Sequence, residues 1–429
     1  MTWARAAHFT KGQPCEKRPR SWAFFWLLLA MVIGGCATYQ HKVMGARSAL
    51  LEGDHQEAID RLKPLAEKPS DDQLIYLLDY AVALQQAGRY QESAKVLAKA
   101  DKLAEVVDYH SISRISGSLL LSEEMVQYKG ETYENVLINA VAAVNYLMLG
   151  KLESALVECR RLNEKLYRYK HEGGKNYEQN GFARYLAGII WEADRKWADA
   201  YLDYVEAYKL TPHLSYLKED ILRTAYLAGR NEDYKKWQGE FGDLGLDPQK
   251  WRARDTGELV LIYQQGWAPR KQPRPEAPRY PMLVKTHSLT QFAELDIDNG
   301  KIVTHSQPVF SVGEVAMKTM EDDYAALVAR RASGVLVKAV VADQFRQKDE
   351  GLGQLAWVLM NAADRADLRQ WSTLPETFQV ARLVLPAGTH SLELRGLTRK
   401  MRITGEHHPR HEITIRPGKK TFVAWRSFQ

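Results

Sequence analysis

From His41 to about Gly242 the apolar positions recur at the three- and four-residue spacing of amphipathic helices, and prolines are few until Pro248. The period then changes. Glu258–Tyr263, Gln291–Ile297, Lys301–His305, Thr377–Leu385, His390–Leu394, Arg399–Thr404, His411–Ile415 and Thr421–Trp425 read as strands. Val312–Arg346 and Leu352–Leu368 read as a helical pair set among them. Pro269, Pro273, Pro275, Pro278 and Pro281 keep the segment before Pro281 extended. The predicted fold class is α+β multidomain: an N-terminal α-solenoid (36–250), then a mostly β, sandwich-like module (251–429) with inserted helices at about 312–370.

Within the helical half a small pattern recurs. Gly53, Gly88 and Gly150 are each followed five residues later by a small residue (Ala58, Ser93, Ala155), and Arg195 repeats the step to Ala200. Seven residues before each marker the chain is small again, at Ala46, Ala81, Ala143 and Gly188; four before it stand Ala49, Leu84, Tyr146 and Trp191. Small residues let two antiparallel helices approach, and the marker closes the turn between them. With Gly229 as a degenerate last marker, this resembles a divergent tetratricopeptide array of four to five hairpins, its 34-residue period kept twice and broken twice by insertions. Such an array implies a concave groove that binds protein segments. The groove positions Leu78, Val82, Ala140, Val144, Tyr185 and Ile189 are apolar or aromatic, so they suit a helix, or the chain's own C-terminal part, better than a charged chain end.

The start of the chain sets its address. Arg5, Lys11, Lys17, Arg18 and Arg20 precede an apolar core, Trp22–Ile33, and Gly34-Gly35-Cys36 follow. That order is an export signal, too short to span a bilayer comfortably. Its end resembles a bacterial lipobox, which implies lipid attachment at Cys36 after removal of residues 1–35. Ala37 follows the cysteine, and by resemblance to enteric lipoproteins this implies the outer membrane, facing the periplasm. Processing changes the charge: 59 basic and 53 acidic residues give +6, but the leader carries five basic residues and Glu16, leaving 54 against 52. A net of +2 is no argument for nucleic acid. Of the three cysteines, only Cys159 stays a free thiol, and it reads as a small packed residue.

Three segments of the second half carry a further resemblance: Arg330–Ala339 (RRASGVLVKA), Ala366–Pro375 (ADLRQWSTLP) and Gln379–Gly388 (QVARLVLPAG). They resemble the C-terminal signature of a family of uncharacterised bacterial TPR-containing lipoproteins, with Leu368 where that signature usually has threonine. The resemblance implies architecture and location, and no catalytic residue. Asp367, Arg369 and Trp371 read as a lock between a helix end and a sheet.

Chemistry is sparse. His407, His408 and His411 are the densest metal-ligand types, but their spacing fits neither HExxH nor a cysteine–histidine zinc pattern, and a polar loop between strands is expected there. Asp296–Gly300 (DIDNG) has the wrong spacing for a calcium loop and suits a hairpin turn. Tyr167–Asn180 reads as a solvated inter-helix loop. No nucleophile elbow, P-loop or dinucleotide fingerprint occurs. The expected function is a non-catalytic, membrane-anchored adaptor or scaffold in envelope assembly or secretion, with a periplasmic or envelope protein as partner and no cofactor. The alternative is a cell-wall- or glycan-directed binding protein or enzyme that uses the β module.

Overall fold

The computed structural model describes residues 39–111, 127–172, 181–252, 255–347 and 365–429, with 350, 351 and 354. The export signal, Cys36, residues 173–180 of the tyrosine-rich loop and most of the second inserted helix lie outside the described residues.

Ten helices among the described residues build the first half: α1 (Tyr39–Glu52), α2 (His55–Glu67), α3 (Gln73–Gln86), α4 (Tyr90–Ser111), α5 (Thr132–Met148), α6 (Leu152–Glu172), α7 (Gly181–Ala193), α8 (Trp197–Leu210), α9 (Tyr216–Leu227) and α10 (Asn231–Phe241). They pair as five hairpins. Each turn pivots on one residue in the left-handed region: Gly53, Gly88, Gly150, Arg195 and Gly229, with φ of 81°, 72°, 68°, 60° and 71°. Arg195 holds this conformation without glycine's freedom, at a cost of about 1 kcal/mol. The next residue's N–H turns back to the carbonyl five positions earlier: Asp54 to Ala49, Arg89 to Leu84, Lys151 to Tyr146, Lys196 to Trp191 and Arg230 to Ala225, all at 2.8–2.9 Å. The recurrent position four before each marker is thus the carbonyl that closes the helix end. The small residues serve close packing. A Cβ on Gly188 would lie 2.6 Å from the Tyr204 ring, and Ser93 Oγ donates to Ala81 O at 2.6 Å.

The second half holds β1 (Thr256–Gln265), β2 (Arg270–Arg274), β3 (Ala277–Val284), β4 (Phe292–Ile297), β5 (Ile302–His305), β6 (Gln307–Ser311), helix α11 (Val312–Arg346), β7 (Thr377–Pro386), β8 (Gly388–Leu397), β9 (Ile403–Ile415) and β10 (Lys420–Arg426). One four-stranded sheet has the order β10-β1-β7-β6, the other β5-β4-β8-β9, and β2 and β3 form a separate hairpin. β1 runs parallel to β10 and antiparallel to β7. The two sheets pack face to face through Leu259, Leu261, Tyr263, Leu295, Leu392 and Leu394. The opposite side of the first sheet, with Val260, Ile262, Phe378 and Val380, joins the same core as the helical array. The fold is therefore three layers deep: array, first sheet, second sheet. β1 is the middle of that stack. Burial on both faces explains why it reads as an unbroken apolar run, Leu259–Tyr263, rather than an alternation.

Three expectations are corrected. Residues 365–370 are not helical: the Arg369 N–H bonds to Asp367 Oδ1 and the Trp371 N–H to Glu134 Oε1, so these amides have partners outside any helical ladder. His407–His411 lie inside β9, not in a loop. The proline-rich stretch is extended as expected, but pairs as the β2–β3 hairpin, Pro273 facing Pro281 where neither needs to donate to a further strand.

Candidate functional site: the array groove and what fills it

The concave face of an array is where a ligand would be sought, and the first helix of each hairpin builds it. Leu78, Val82, Ala140, Val144, Tyr185 and Ile189 all lie there, none more than 2% exposed. The chain's own β module packs on this face and shares one apolar core with it. Phe182 of α7 stacks on Phe378 of β7 with ring centroids 4.6 Å apart, Tyr185 OH bonds Arg382 Nη1 at 2.9 Å, and α5 packs against β10. Of the two occupants the sequence left open, a helix or the chain's own C-terminal part, the second is the one in contact with this face. Three polar assemblies fasten the filling; the sequence reading singled out Asp367, Arg369 and Trp371 as a lock and left most of their partners unnamed.

At the α1–α5 end the occupant is an irregular strap, Ala366–Glu376, with a turn at 372–373, whose residues Arg369–Leu374 are all at most 7% exposed. Arg369 reaches Asp72 of the array at 3.0 Å and folds back on Asp367 at 2.8 Å. Trp371 is buried, its N–H donating to Glu134 Oε1 at 2.7 Å and its indole to Thr373 Oγ1 at 3.0 Å. Asp79 of α3 receives Ser372 Oγ (3.0 Å), Thr373 N (3.1 Å) and Thr373 Oγ1 (2.8 Å), and also the hydroxyl of Tyr39. Arg47 donates to the Ser372 carbonyl and stacks on Trp267 at 4.1 Å. Lys271 is buried against Glu131. So Asp367, Arg369 and Trp371 do form a lock, as the sequence suggested, but onto the array rather than a sheet.

Burial raises Asp79 above the ordinary carboxylate range, against the donors that surround it. Burial, with the Glu131 charge beside it, pushes Glu134 up to about 7. Among the described residues neither has a cation in hydrogen-bond contact, though the Arg47 charge acts on Asp79 and the Lys271 charge on Glu134.

In the middle a chain of neutral groups crosses the interface. Gln264 of β1 donates to Gln85 Oε1 (3.0 Å), Gln85 to Asn145 Oδ1 (2.7 Å), Asn145 to Ser93 Oγ (2.8 Å), and Ser93 to the Ala81 carbonyl. A buried polar chain costs little only when each member is satisfied, as these are.

At the α7–α9 end three cations meet three buried carboxylates, with a fourth, the more exposed Glu219, on Arg223 at 3.3 Å. Arg382 of β7 contacts both oxygens of Asp220 at 2.6 Å and Glu258 at 2.5 Å. Arg223 holds Glu192 at 2.7 Å and also Asp220. Lys420 of β10 bridges Glu192, at 3.1 Å, and Glu258. Tyr204 OH donates to Glu192 at 2.6 Å. Burial would raise Glu258, but Arg382 and Lys420 overcome it and hold the carboxyl at about 2. Burial is likewise overcome at Glu192, which Arg223 and Lys420 hold well below the usual range. Asp220 is the exception, its burial winning over Arg382 and Arg223 so that it is raised.

The missed residues had a signal. Asp79, Glu134, Asn145 and Glu192 each interrupt an otherwise apolar helix face, and a polar group buried in such a run demands a partner.

The remaining candidates are spread out. A bulge in the β8–β9 pairing sets Leu392 and Leu394 opposite His411 and His408, which brings those two rings to 4.8 Å. His407, His408 and His411 bond backbone carbonyls within β9, and no group of three or more metal-ligand side chains gathers among the described residues. In the 298–300 turn Asp298 bonds His390 at 2.8 Å and the Ser391 N–H at 2.9 Å, while Asp296 takes the Gly300 N–H at 2.7 Å. Cys159 is buried, and burial, with Asp203 and Glu158 nearby, pushes its thiol up, the reverse of an activated nucleophile. No described helix is long and apolar enough to cross a membrane.

None of the protein-family models compared matches the chain, and no curated protein matches it. Solved structures do resemble its helical part. A MamA RS-1 double mutant is 17% identical over 46% of this chain and 86% of its own, with a TM-score of 0.31. A Podosopora anserina kinesin-light-chain protein with nearly identical TPR-like repeats is 13% identical over 47% and 92%, with a TM-score of 0.32. MamA of Desulfovibrio magneticus RS-1 is 17% identical over 46% and 86%, with a TM-score of 0.30. The architecture rests on this chain's own five hairpins and two sheets: an α+β protein with a TPR-like array whose groove is occupied by its own β module.

Proposed function

We propose that this protein is a lipid-anchored, non-catalytic scaffold of the bacterial envelope, attached through Cys36 to the outer membrane and facing the periplasm. A partner protein is engaged outside the array groove. The observation that carries this reading is the filled groove: its six apolar positions are buried, and the chain's own module shares their core. The surface left for a partner includes the arm α11, 35 residues long and so about 50 Å. Its root touches α5, β3 and β7, while Ala325, Ala326, Ala329, Ala332, Ser333 and Ala339 are exposed. The export signal and lipobox-like Gly34-Gly35-Cys36 support the address.

The test is in-cell photo-cross-linking from Ala326 and Ala332, with Tyr185 and Ile189 as groove positions. A discrete protein adduct from the arm, and only intramolecular products from the groove, is the expected result. An adduct to another protein from Tyr185 or Ile189, with none from the arm, would reverse the assignment. Labelling with a clickable fatty acid, lost in Cys36→Ser, checks the anchor separately.

A further inference from the structure

The first turn of α1 is fastened to the β module. Tyr39 is buried, its hydroxyl on Asp79. Gln40 donates to the Lys271 carbonyl at 2.9 Å and to the Leu368 carbonyl at 3.2 Å, and accepts from Arg270 Nη2 at 3.0 Å. It therefore cannot swing free of β2 or of the strap. Between this turn and Cys36 stand only Ala37 and Thr38. Three backbone steps of at most ~3.6 Å carry a chain about 11 Å. With lipid on Cys36, the base of the β2–β3 hairpin cannot stand off from the bilayer.

Exposed cations gather at that base. Lys42 lies on α1, Arg270 on β2, and Lys285 follows the Val284 that pairs with Arg270. All three are exposed, and none is in an ion pair among the described residues. Helix α1 has no acid before Glu52, its last residue. The acids packed here are matched by other cations: Asp72 and Asp367 by Arg369, Glu131 by Lys271, Glu276 by Arg274. Only the half-buried Glu376 acts on Lys285, from the far end of the strap. Gln272, on the same side of β2 as Arg270, is exposed beside them.

We propose that the first turn of α1 and the base of the β2–β3 hairpin form a membrane-contact face that docks on anionic phospholipid headgroups through Lys42, Arg270 and Lys285. Docking in this way presupposes the Cys36 anchor of the reading above and gives it an orientation. The reach of the tether is close to the Debye length of about 8–10 Å at physiological salt, so the three cations stand within the field of the headgroups. The tether supplies proximity, and the cations choose which side turns to the lipid. At about fivefold per cation, three of them shift the ratio of docked to undocked protein on the order of a hundredfold. The α10 end, four hairpins further along the array, then lies away from the surface.

The test uses the mature lipoprotein, purified with its acyl chains and reconstituted in vesicles of phosphatidylethanolamine with phosphatidylglycerol, or with phosphatidylcholine in its place. Gln272→Cys and, as a control on α10, Gln238→Cys each carry a fluorophore, and a nitroxide on the lipid headgroups quenches it. Cys159 is buried and the Cys36 thiol holds lipid, so neither takes the label. Strong quenching at 272 and little at 238 is expected on phosphatidylglycerol vesicles. The signal at 272 should drop severalfold on neutral vesicles, and equally with Lys42→Gln, Arg270→Gln and Lys285→Gln combined. Equal quenching at the two positions, or quenching at 272 indifferent to lipid charge and to the three substitutions, would overturn the proposal. So would shielding of 272 that grows with protein density, which would put a second copy on this face. Intact mass separates the two readings: an acylated protein without lipid contact at 272 removes the docking and leaves the anchor, whereas an unacylated one removes both.

Discussion

The two ends of the groove do the same job with opposite electrostatics. At the α7–α9 end each carboxylate of Glu192, Asp220 and Glu258 contacts a cation. At the α1–α5 end Asp79 and Glu134 have only neutral donors. Burial penalises charge in both places; cations overcome it at Glu192 and Glu258 but not at Asp220. One seam is therefore an ion-pair joint that fails in acid. The other combines ion pairs, Arg369–Asp72 and Lys271–Glu131, with Glu134, whose raised carboxyl is penalised in base. A fold read only as helices on a sheet would treat them as equivalent.

The largest way to break the comparison is Arg382→Ala. It strips Asp220 and Glu258 of their shared cation, leaving Arg223 and Lys420 alone to balance Glu192, Asp220 and Glu258, a loss of about 3–5 kcal/mol. Urea unfolding combined with hydrogen exchange should place that loss at the β7–α9 seam and leave strap protection at pH 5.5 nearly intact. Loss spread evenly along the groove would show that the joints are not separate.

Trp371→Ala, at about 3–4 kcal/mol, is the counterpart at the other end. It should free the strap and expose Glu134 while β1 stays protected.

Acid titration comes next. Glu258 is held at about 2 when folded against about 4.5 unfolded. Its contribution is thus present above 4.5 and lost as pH falls through 2, about 3 kcal/mol in all. Glu134 runs the other way, its folded value of about 7 lying above the unfolded one. Its contribution is present below 4.5 and lost as pH rises through 7. Exchange measured from pH 3 to 8 should show the two seams loosening at opposite limits. A common optimum for both would sink the distinction.

The smallest effect is Ser93→Ala, about 1 kcal/mol. It removes the end of the Gln264–Gln85–Asn145–Ser93 chain, and a denaturation midpoint should shift with no pH dependence.

Much of the architecture was legible, and the reasons are local. The hairpin turns announced themselves because a left-handed residue and a closely approached small one are hard to replace, so Gly53–Ala58 and Gly88–Ser93 stand out; even Arg195 was found by its spacing. The long helix from Val312 to Arg346 matches its expected bounds. What could not be read were contacts between residues far apart in the chain. Asp79 meets Thr373 and Arg382 meets Glu192 across hundreds of positions, and no local period records such a pairing. The strap was misread at its start for the same reason. Ala366–Leu368 has helical composition, but the chain there is drawn out toward distant partners. His407–His411 were taken for a loop because Pro409 and charges mask a strand whose bulges absorb them.

The parallel pairing of β1 with β10 sets a schedule for the nascent chain. Glu258 to Gln264 cannot complete their ladder until Lys420 to Arg426 exist, and Trp267 then caps the Phe428 carbonyl at 2.6 Å. Ile189 is made roughly 240 residues earlier, which at ribosomal speeds of about 5–20 residues per second is on the order of 10–50 seconds. For that interval the apolar wall of the array has no cover of its own. The delay invites either a holding chaperone or aggregation, and it makes truncations after the array the fragments most prone to stick.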